Sequence, residues 1–279
     1  MTEKKRFSFE FFPPKTDVGR EKLKNVRAEL NKLGPDFFSV TYGAGGSTRD
    51  NTKDIVLAMT AEGISTAPHL SFGSDEEDSI LALIKEYKNA GINRIVALRG
   101  DMPSGMGAQR LVFANELVEF IRRETGDHFH LEVAAYPEIH PDADNYSQDI
   151  EFLKRKFEAG ADSAITQYFY NADAYLYFVD QCQKAGIDKP IYPGIMPITN
   201  FQNLARFSKN CGADIPRWIC KKLESFNEDK ESIHNFGIEV VTKLCENLLA
   251  AGAPGFHFYT MNQIEPNKTI WENLSLSDR

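Results

Sequence analysis

Eight short segments rich in apolar, β-branched and aromatic residues recur at an unusually even spacing along this chain of 279 residues. They cover residues 6–12, 36–42, 65–72, 94–100, 130–137, 163–169, 191–197 and 255–261. Successive segments start 28 to 36 residues apart, except that the last starts 64 residues after the seventh. Amphipathic patterns typical of helices lie between them, for example at 20–34 and 78–91. Several patterns end at a glycine, which accepts the left-handed conformation at a helix C-terminus; these glycines are Gly34, Gly91, Gly160 and Gly186.

This alternation predicts an α/β fold with a parallel sheet, and eight units of about 30 residues match a closed (β/α)8 barrel. The long last interval leaves room for extra helices before the last strand, at 216–226 and 232–252. An open doubly wound sheet is the alternative, because one sequence does not show strand order, but the even spacing favours the barrel. We expect one catalytic domain over residues 1–279, since no linker or low-complexity tract interrupts the pattern.

The net charge and the cysteines limit the expected binding partners and cellular compartment. The net charge of −8 argues against a nucleic-acid surface, which needs a positive field. The four cysteines form no CxxC pair and no zinc spacing, so we expect reduced thiols. The N-terminus lacks the apolar run of a signal peptide, and no stretch approaches the ~18 apolar residues that span a bilayer. We therefore expect a cytoplasmic protein without nucleic-acid or membrane partners.

Polar residues collect at the ends of the expected strands. In a (β/α)8 barrel the active site is built from the carboxyl ends of the strands and the loops that follow them. The polar and loop residues at these positions are Glu10, Thr41, Tyr42, His69, Arg99, Gly100, Asp101, Tyr136, His140, Gln167 and Tyr259. Their distribution indicates an active site at this end of the barrel but does not name a reaction.

Glu10 is the most informative of these residues. The two-residue period of a strand places it on one face with Ser8 and Phe12, opposite three phenylalanines. Both faces of a barrel strand are buried, and a buried carboxylate is costly unless it is paired or protonated. Burial raises the pKa of a carboxyl group, which suits a general acid near neutral pH. A structural ion pair with an arginine or lysine of a neighbouring strand is an equally good interpretation.

Other polar residues leave alternatives open. Asp101 follows Arg99 closely and could form a local salt bridge or bind a polar ring edge. His69 and His140 could be ligands or bases, although a lone histidine is more often a hydrogen-bonded structural residue. No acidic or cysteine partner stands at metal-ligand spacing, so we do not predict a metal site.

Two further segments carry weak signals for a phosphorylated cofactor. GAGGST at 43–48 fails the dinucleotide fingerprint because Thr48 replaces the third glycine; it is either a tight loop that approaches a flat ligand or a plain surface turn. The basic run Lys154, Arg155 and Lys156 is typical of a solvated helix face. A sharper hypothesis is that one or two of these side chains bind a pyrophosphate.

The strand segments taken together resemble the signature segments of methylenetetrahydrofolate reductases. They are FSFEFFPPK (7–15), SVTYGAGG (39–46), APHL (67–70), IVALRGD (95–101), AAYPEIHP (134–141), AITQYFY (164–170), PGIMPI (193–198) and FHFYTMN (256–262). The match covers nearly the whole chain, in order and in register. The chain resembles the short form of the family, without the C-terminal regulatory domain of the eukaryotic enzymes.

The resemblance implies a flavoenzyme of one-carbon metabolism and methionine biosynthesis. The family binds FAD at the top of the barrel without a Rossmann domain, takes hydride from NADH or NADPH, and is commonly oligomeric. Methylenetetrahydrofolate then replaces the nicotinamide, an acid protonates N10, and the opened ring receives hydride to give 5-methyltetrahydrofolate. The rival classes are a flavin-free barrel lyase or aldolase, which would want a Schiff-base lysine or a metal, and a non-catalytic binding barrel.

The resemblance also assigns roles to single residues. Glu10 matches the catalytic acid, and Asp101 matches the aspartate that holds the pterin and tunes the flavin. Thr41 matches a nicotinamide contact. The flavin-binding positions are Tyr42, Ala44, His69, Arg99, Gly100, Asp101, Ala114, Tyr136, His140, Ala143, Asp149, Arg155 and Lys156. The substrate-binding positions are Asp101, Gln167, Phe207, Tyr259 and Gln263.

The chain departs from the family pattern after the last strand. Gln263 stands where the family commonly has an arginine that contacts folate, and Asn203 stands where a glutamine is sometimes found. A neutral glutamine does not pair with a carboxylate as arginine does. The departure therefore concerns binding of the folate tail and not the chemistry at the reacting atoms.

Overall fold

Eight parallel strands close into a barrel in chain order, with each strand paired to the next and β8 paired to β1. This is seen in a computed structural model, which describes residues 4–42, 46–72, 77–99 and 113–278. The strands are β1 (Arg6–Phe11), β2 (Phe37–Val40), β3 (Thr66–Leu70), β4 (Arg94–Ala97), β5 (His130–Ala135), β6 (Ser163–Tyr168), β7 (Ile191–Ile195) and β8 (Gly255–Tyr259). The predicted (β/α)8 barrel is confirmed, and the open sheet is excluded.

Helices follow the strands around the barrel. They are α1 (Asp17–Asn31), α2 (Gly46–Ala61), α3 (Glu77–Asn89), α4 (Ala114–Thr125), α5 (Tyr146–Glu158), α6 (Ala172–Lys184), α7 (Phe201–Cys211), α8 (Arg217–Ser225), α9 (Lys230–Ala250) and α10 (Asn267–Asn273), with a 3-10 turn at Leu276–Asp278. Helices α8 and α9 are the extra helices expected before the last strand. None of the helices described combines the length and apolar character needed to cross a membrane.

Local sequence signals explain where the helices start and end. The side chains of five N-cap residues accept a backbone N–H of the first turn, each worth about 1 kcal/mol in typical helices. These caps are Thr16, Asn145, Asn171, Asn200 and Asp229. The glycines expected after four helices have positive φ angles of 73°, 85°, 113° and 84°. The predicted helix ends therefore follow from glycine geometry.

The barrel wall separates two apolar regions. On the outside, Phe9 of β1 is fully buried and its ring lies 5.1 Å from that of Trp271 on α10. On the inside, a small cluster fills the middle of the barrel, made of Phe37, Ala67, Val96, Ile165 and Tyr192. This alternation is what a two-residue period produces when both faces of a strand are covered.

An ionic cluster closes the barrel at the amino ends of the strands. Glu132 of β5 is fully buried and contacts the guanidinium groups of Arg6, at 2.8 Å, and Arg94. Ser163 donates a short hydrogen bond to the same carboxylate. Burial opposes ionisation of Glu132, but the hydrogen bond from His130 and the two arginines hold its pKa far below the usual range. This cluster was not predicted from the sequence.

Aromatic rings flank the two arginines of this cluster. The Arg6 guanidinium lies 3.7 Å from the ring centroid of Tyr192, and that of Arg94 lies 4.5 Å from that of Phe37. These rings also belong to the apolar middle of the barrel. The interior is thus layered, with an ionic layer at the amino end, an apolar layer in the middle, and a polar layer that contains Glu10 at the carboxyl end.

Candidate active site

A carboxylate and two histidines meet inside the carboxyl end of the barrel. Glu10 Oε2 lies 3.2 Å from His69 Nε2 of β3 and 3.2 Å from His257 Nε2 of β8. Ser39 of β2 donates from Oγ to Glu10 Oε2 at 3.4 Å. The Glu10 side chain is 15% exposed, so it faces the mouth and is open to a ligand. Four strands thereby converge on one reactive carboxyl group.

His257 extends this cluster into the barrel. Its Nδ1 lies 2.7 Å from Ser8 Oγ, and the residue is fully buried. An ionised carboxylate only accepts hydrogen bonds, so Nε2 of His257 carries the proton that points at Glu10. Neither His257 nor Ser8 was predicted from the sequence as a site residue. The alternation in GFHFY would have found the histidine, because it places His257 on the inward face beside Tyr259.

The expected pKa shift of Glu10 was wrong in direction. Burial alone would raise its pKa, but the nearby His69 and the hydrogen bond and charge of His257 outweigh burial and lower it to about 2. The alternative interpretation, a structural pair with arginine or lysine, also differs from what is seen. Within the described part of the chain, Glu10 meets histidine and serine side chains. The carboxylate is therefore ionised and lies beside two groups that can carry a proton.

His69 is close to Glu10 but poorly aligned with it. Its buried Nε2 has no aligned hydrogen-bond partner among the residues described, although Glu10 Oε2 is within ion-pair distance. A buried ring nitrogen without an aligned partner is costly, and a ligand that offers one would remove the cost. His69 thus lies at the mouth as a group ready to bind.

A second polar group lies on the loop after β5. His140 donates its backbone N–H to Asp149 Oδ2 at 3.0 Å, and its Nδ1 accepts the backbone N–H of Asp142 at 2.9 Å. The neutral ring must then carry its proton on Nε2. Burial and the nearby Arg99 lower the pKa of His140, which keeps the ring neutral. The Tyr136 ring packs edge-on against it with centroids 4.4 Å apart.

The basic run on α5 separates into different environments. Lys156 donates to the carbonyl of Ala134 at 2.9 Å, and burial lowers its pKa to about 8 in spite of the nearby Asp149. Arg155 is 57% exposed and pairs with Glu151 one turn away. Successive helical residues differ by about 100° in direction, which explains the divergence. Of these two, only Lys156 faces the barrel.

Most of the other positions predicted to bind the cofactor lie on loops that follow the strands. Arg99, two residues past β4, forms an ion pair with Asp142 at 2.6 Å, which joins the β4 and β5 loops. Thr41 and Tyr42 directly follow β2 and are half-buried, as is Ala143 on the β5 loop, and Ala114 begins α4. The predicted positions Ala44, Gly100 and Asp101 lie outside the described residues, as does the local Arg99–Asp101 salt bridge.

The predicted substrate residues occupy several elements. Tyr259 at the end of β8 donates its hydroxyl to the carbonyl of Thr166 at 2.7 Å and packs edge-on against His257. Gln167 is half-buried at the end of β6, and Phe207 is half-buried on α7. Gln263 follows β8 and is half-buried. Tyr259 therefore touches the carboxyl cluster through His257, and its backbone is paired with that of Glu10.

Gly194 of β7 makes room for Tyr259. A Cβ atom there would lie 2.1 Å from the carbonyl oxygen of Thr166 and 2.6 Å from the Tyr259 ring. No side chain fits within those distances. The glycine therefore lets the tyrosine cross the mouth and reach β6.

Glu138 links two loops beside the site. Its Oε2 accepts the backbone N–H of Asp214 at 2.8 Å, which joins the β5 loop to the segment between α7 and α8. Burial raises its pKa to about 7, and the charge of Asp214 adds to this. Between about pH 4.5 and 7 the folded protein therefore retains a proton that the unfolded chain has released.

Replacing Glu138 by glutamine should make stability less dependent on pH between about 4.5 and 7. In that window the wild-type protein loses stability as pH rises, by about 1–2 kcal/mol after allowance for solvent exposure. Glu138→Gln keeps an acceptor for Asp214 and removes the titration. Urea unfolding at pH 5 and pH 8 measures the difference, with exposed Glu228→Gln as control. If the free energy of unfolding changes equally with pH in wild type and Glu138→Gln, this expectation is wrong.

The fold and the carboxyl cluster define a (β/α)8-barrel enzyme with acid–base groups at its mouth. The family model for methylenetetrahydrofolate reductase matches residues 1–275. The 5,10-methylenetetrahydrofolate reductase of Escherichia coli K12 is 39% identical over 270 residues, which cover 96% of this chain and 90% of that protein. Methylenetetrahydrofolate reductase (NADH) 1 of Zea mays is 39% identical over 285 residues, which cover 97% of this chain but 48% of the plant protein.

A solved structure supports the fold independently. An uncharacterized protein from Clostridium thermocellum, described as binding two copies of 5-methyl-5,6,7,8-tetrahydrofolic acid, superposes with a TM-score of 0.69. It is 18% identical in sequence and covers 99% of this chain, so the likeness bears on the fold alone. From the family match and the two reductases, this chain belongs to the methylenetetrahydrofolate reductase family, a family of oxidoreductases.

Proposed function

We propose that this chain reduces methylenetetrahydrofolate to 5-methyltetrahydrofolate, with FAD as cofactor and NADH or NADPH as electron donor. Membership of the family supports the substrate and the reaction. The structural observation that carries the proposal is the carboxyl cluster of Glu10, His69 and His257 at the barrel mouth. Opening the five-membered ring of the substrate requires a proton on a ring nitrogen, and this cluster holds one within reach of the mouth.

The proton passes through Glu10 although its carboxylate is ionised at rest. His257 Nε2 lies 3.2 Å from Glu10 Oε2, so a proton moves between them without a change in the positions of the heavy atoms. A substrate that covers the mouth excludes water, and a dry site favours the neutral carboxyl–imidazole pair over the ionic pair. Glu10 then passes this proton to N10 and the bond from that nitrogen to the bridging carbon breaks, which leaves a carboxylate on Glu10 and a neutral imidazole on His257.

Ser8 orients the imidazole for this transfer. Its hydroxyl contacts His257 Nδ1 at 2.7 Å on the side away from Glu10. This hydrogen bond fixes the ring so that Nε2 faces the carboxylate, in the way that a third group orients a catalytic base in other enzymes. Ser8, His257 and Glu10 thereby form a line that ends at the barrel mouth.

The chemistry of the donors beside the β5 loop fits a cofactor with a diphosphate. Lys156 donates one of its three N–H groups to the carbonyl of Ala134, which leaves two for a ligand. The Nε2–H of His140 points away from the backbone N–H that its Nδ1 accepts. Arg99 and Tyr136 are half-buried groups near these donors, and Tyr42 is half-buried after β2. When bound, FAD supplies the hydride that reduces the bridging carbon. The roles of Thr41, Ala44, Gly100, Asp101, Ala114, Ala143, Asp149, Arg155, Gln167, Phe207, Tyr259 and Gln263 remain part of this proposal.

Broader expectations belong to the same proposal. These are one catalytic domain over residues 1–279, a cytoplasmic location, a homo-oligomer and a role in methionine biosynthesis. Size-exclusion chromatography with light scattering measures the oligomeric state directly.

Anaerobic spectroscopy tests the proposed function. The purified protein should take up FAD and turn yellow, and NADH or NADPH should bleach the flavin absorbance. Adding methylenetetrahydrofolate should then restore the colour and yield 5-methyltetrahydrofolate. Running the first step with each nucleotide separately identifies the preferred donor. A protein that binds no FAD, or whose flavin is reduced by neither nucleotide, would overturn the proposal.

A further inference from the structure

Phe12 is an exposed aromatic residue at the end of the strand that carries the acid. It is 43% exposed, whereas Phe9 and Phe11 on the other face of the same strand are buried. Strand β1 ends at Phe11, so the direction of the Phe12 side chain depends on whether the extended backbone continues. A large exposed ring beside a reactive carboxyl group requires an explanation, because exposure of apolar surface is unfavourable.

The backbone hydrogen bonds show that β1 stays extended through Phe12. The carbonyl of Glu10 accepts from Thr260 on the β8 side, and that of Phe11 accepts from Thr41 on the β2 side. The N–H and the carbonyl of Phe12 point back to the β8 side. This alternation is that of a strand, so Phe12 shares the inward face of Glu10. At a rise of about 3.3 Å per residue, the two side chains start about 6.6 Å apart.

Asn262 holds Phe12 in this position with its carboxamide group. Its Oδ1 accepts the N–H of Phe12 at 3.1 Å, and its Nδ2 donates to the carbonyl of Phe12 at 2.8 Å. The side chain thus replaces the strand residue that would pair with Phe12 if β8 were longer. Asn262 and the preceding Met261 have φ angles of 54° and 52°. Left-handed backbone at two successive non-glycine residues costs free energy, and such strain concentrates at ligand sites.

Thr260 joins this clamp to the acid. Its hydroxyl donates to the carbonyl of Glu10 at 2.6 Å and accepts the N–H of Asn262 at 3.1 Å. The backbone of the acid and the clamp on Phe12 are therefore parts of one hydrogen-bonded unit. A displacement of the loop after β8 would move Phe12 and Glu10 together.

We propose that Phe12 is a positioning residue that forms an aromatic wall for the flat ring system of the folate substrate above Glu10. This inference rests on the proposed function. Aromatic rings prefer offset-stacked or edge-on contacts with other flat rings. The phenyl group of Phe12 offers such a contact two residues beyond Glu10, on the same face of the strand. Contact with Phe12 limits the tilt of the substrate, so that the ring nitrogen approaches the carboxyl group. Asn262 serves this role indirectly, by fixing the backbone of Phe12.

Substitutions of Phe12 test whether its ring contacts the folate substrate or is only exposed to solvent. For Phe12→Ala we expect about tenfold weaker binding of 5-methyltetrahydrofolate, measured by calorimetry on the FAD-loaded protein, and a lower rate of the folate half-reaction. Phe12→Tyr should keep near wild-type values because it keeps the ring, and Phe12→Leu should fall between them. Tyr177→Ala on α6, which also removes an exposed aromatic ring (57% exposed), is the matched control and should leave folate binding within about twofold.

The outcomes distinguish this inference from the proposed function. If wild type reduces methylenetetrahydrofolate but Phe12→Ala binds folate within twofold of wild type, the inference is wrong and the function stands. If both half-reactions fall equally in folded Phe12→Ala, the ring supports the mouth generally and the inference is again wrong. Asn262→Ala should weaken folate binding in the same direction as Phe12→Ala; unchanged binding would refute the role of the clamp. A wild-type protein without reductase activity would refute the proposed function itself.

Discussion

Replacing Glu10 by glutamine will abolish reduction of methylenetetrahydrofolate and leave reduction of bound FAD by NADH or NADPH nearly unchanged. The amide keeps the size of the carboxyl group but cannot pass on a proton from His257, which lies 3.2 Å away. General acids typically contribute about 10²–10⁴-fold to a rate, so the folate half-reaction should fall by at least about 100-fold. Transfer of hydride from the nicotinamide needs no proton from this group. Anaerobic stopped-flow absorbance measures the two half-reactions separately.

Two further variants make this result specific. Glu246→Gln on the outside of α9 removes an exposed carboxylate and should change neither half-reaction. His257→Gln should slow the folate half-reaction and raise the pKa of Glu10, since it removes a hydrogen bond and a charge that lower that pKa. Equal loss of both half-reactions in a folded, FAD-loaded Glu10→Gln protein would show that Glu10 is not the acid.

The fold was predictable because the repeated unit is local. Each strand segment and the helix after it lie within about 30 residues, and each of the eight segments contains the strand expected of it. The strands end one to three residues earlier than predicted. Some of those extra residues, such as Phe12 and Tyr42, are aromatic and lie at the mouth of the barrel, so hydropathy alone does not separate them from the strand.

The electrostatics of the site were not predictable in the same way. Alternation placed Glu10 on one face of its strand with Ser8 and Phe12, but the pKa of Glu10 depends on His257, which lies 247 residues further along the chain. Closure of the barrel brings β1 next to β8, and only then does a buried carboxylate acquire histidine partners. Burial was correctly inferred, and the sign of the pKa shift was wrong because the partners were unknown.

The basic run on α5 shows a second limit of sequence patterns. Arg155 and Lys156 are neighbours in sequence, yet one pairs with Glu151 at the surface and the other donates to the backbone of β5. The direction of a helix face relative to the barrel decides which basic group reaches the site. A charge run therefore predicts a helix surface, and the packing of that helix decides which of its basic groups faces the barrel.

Replacing Glu132 by glutamine will destabilise the fold strongly, although Glu132 lies at the end of the barrel opposite the proposed site. The carboxylate is fully buried between Arg6 and Arg94, whose side chains are only 13% and 17% exposed. Removing one member of a buried ionic group leaves charge without compensation and typically costs about 3–5 kcal/mol. Equilibrium urea unfolding at pH 7 and saturating FAD measures this loss.

The surface offers the matched control for this prediction. Glu246 pairs with Lys243 at 2.9 Å, but both side chains are largely exposed, so Glu246→Gln should cost less than about 0.5 kcal/mol. Replacing Glu132, Arg6 and Arg94 together by apolar residues of similar size should restore most of the stability, since no buried charge then remains. A Glu132→Gln protein as stable as Glu246→Gln would mean that water reaches the arginines. The cluster would then not be what closes the barrel at its amino end.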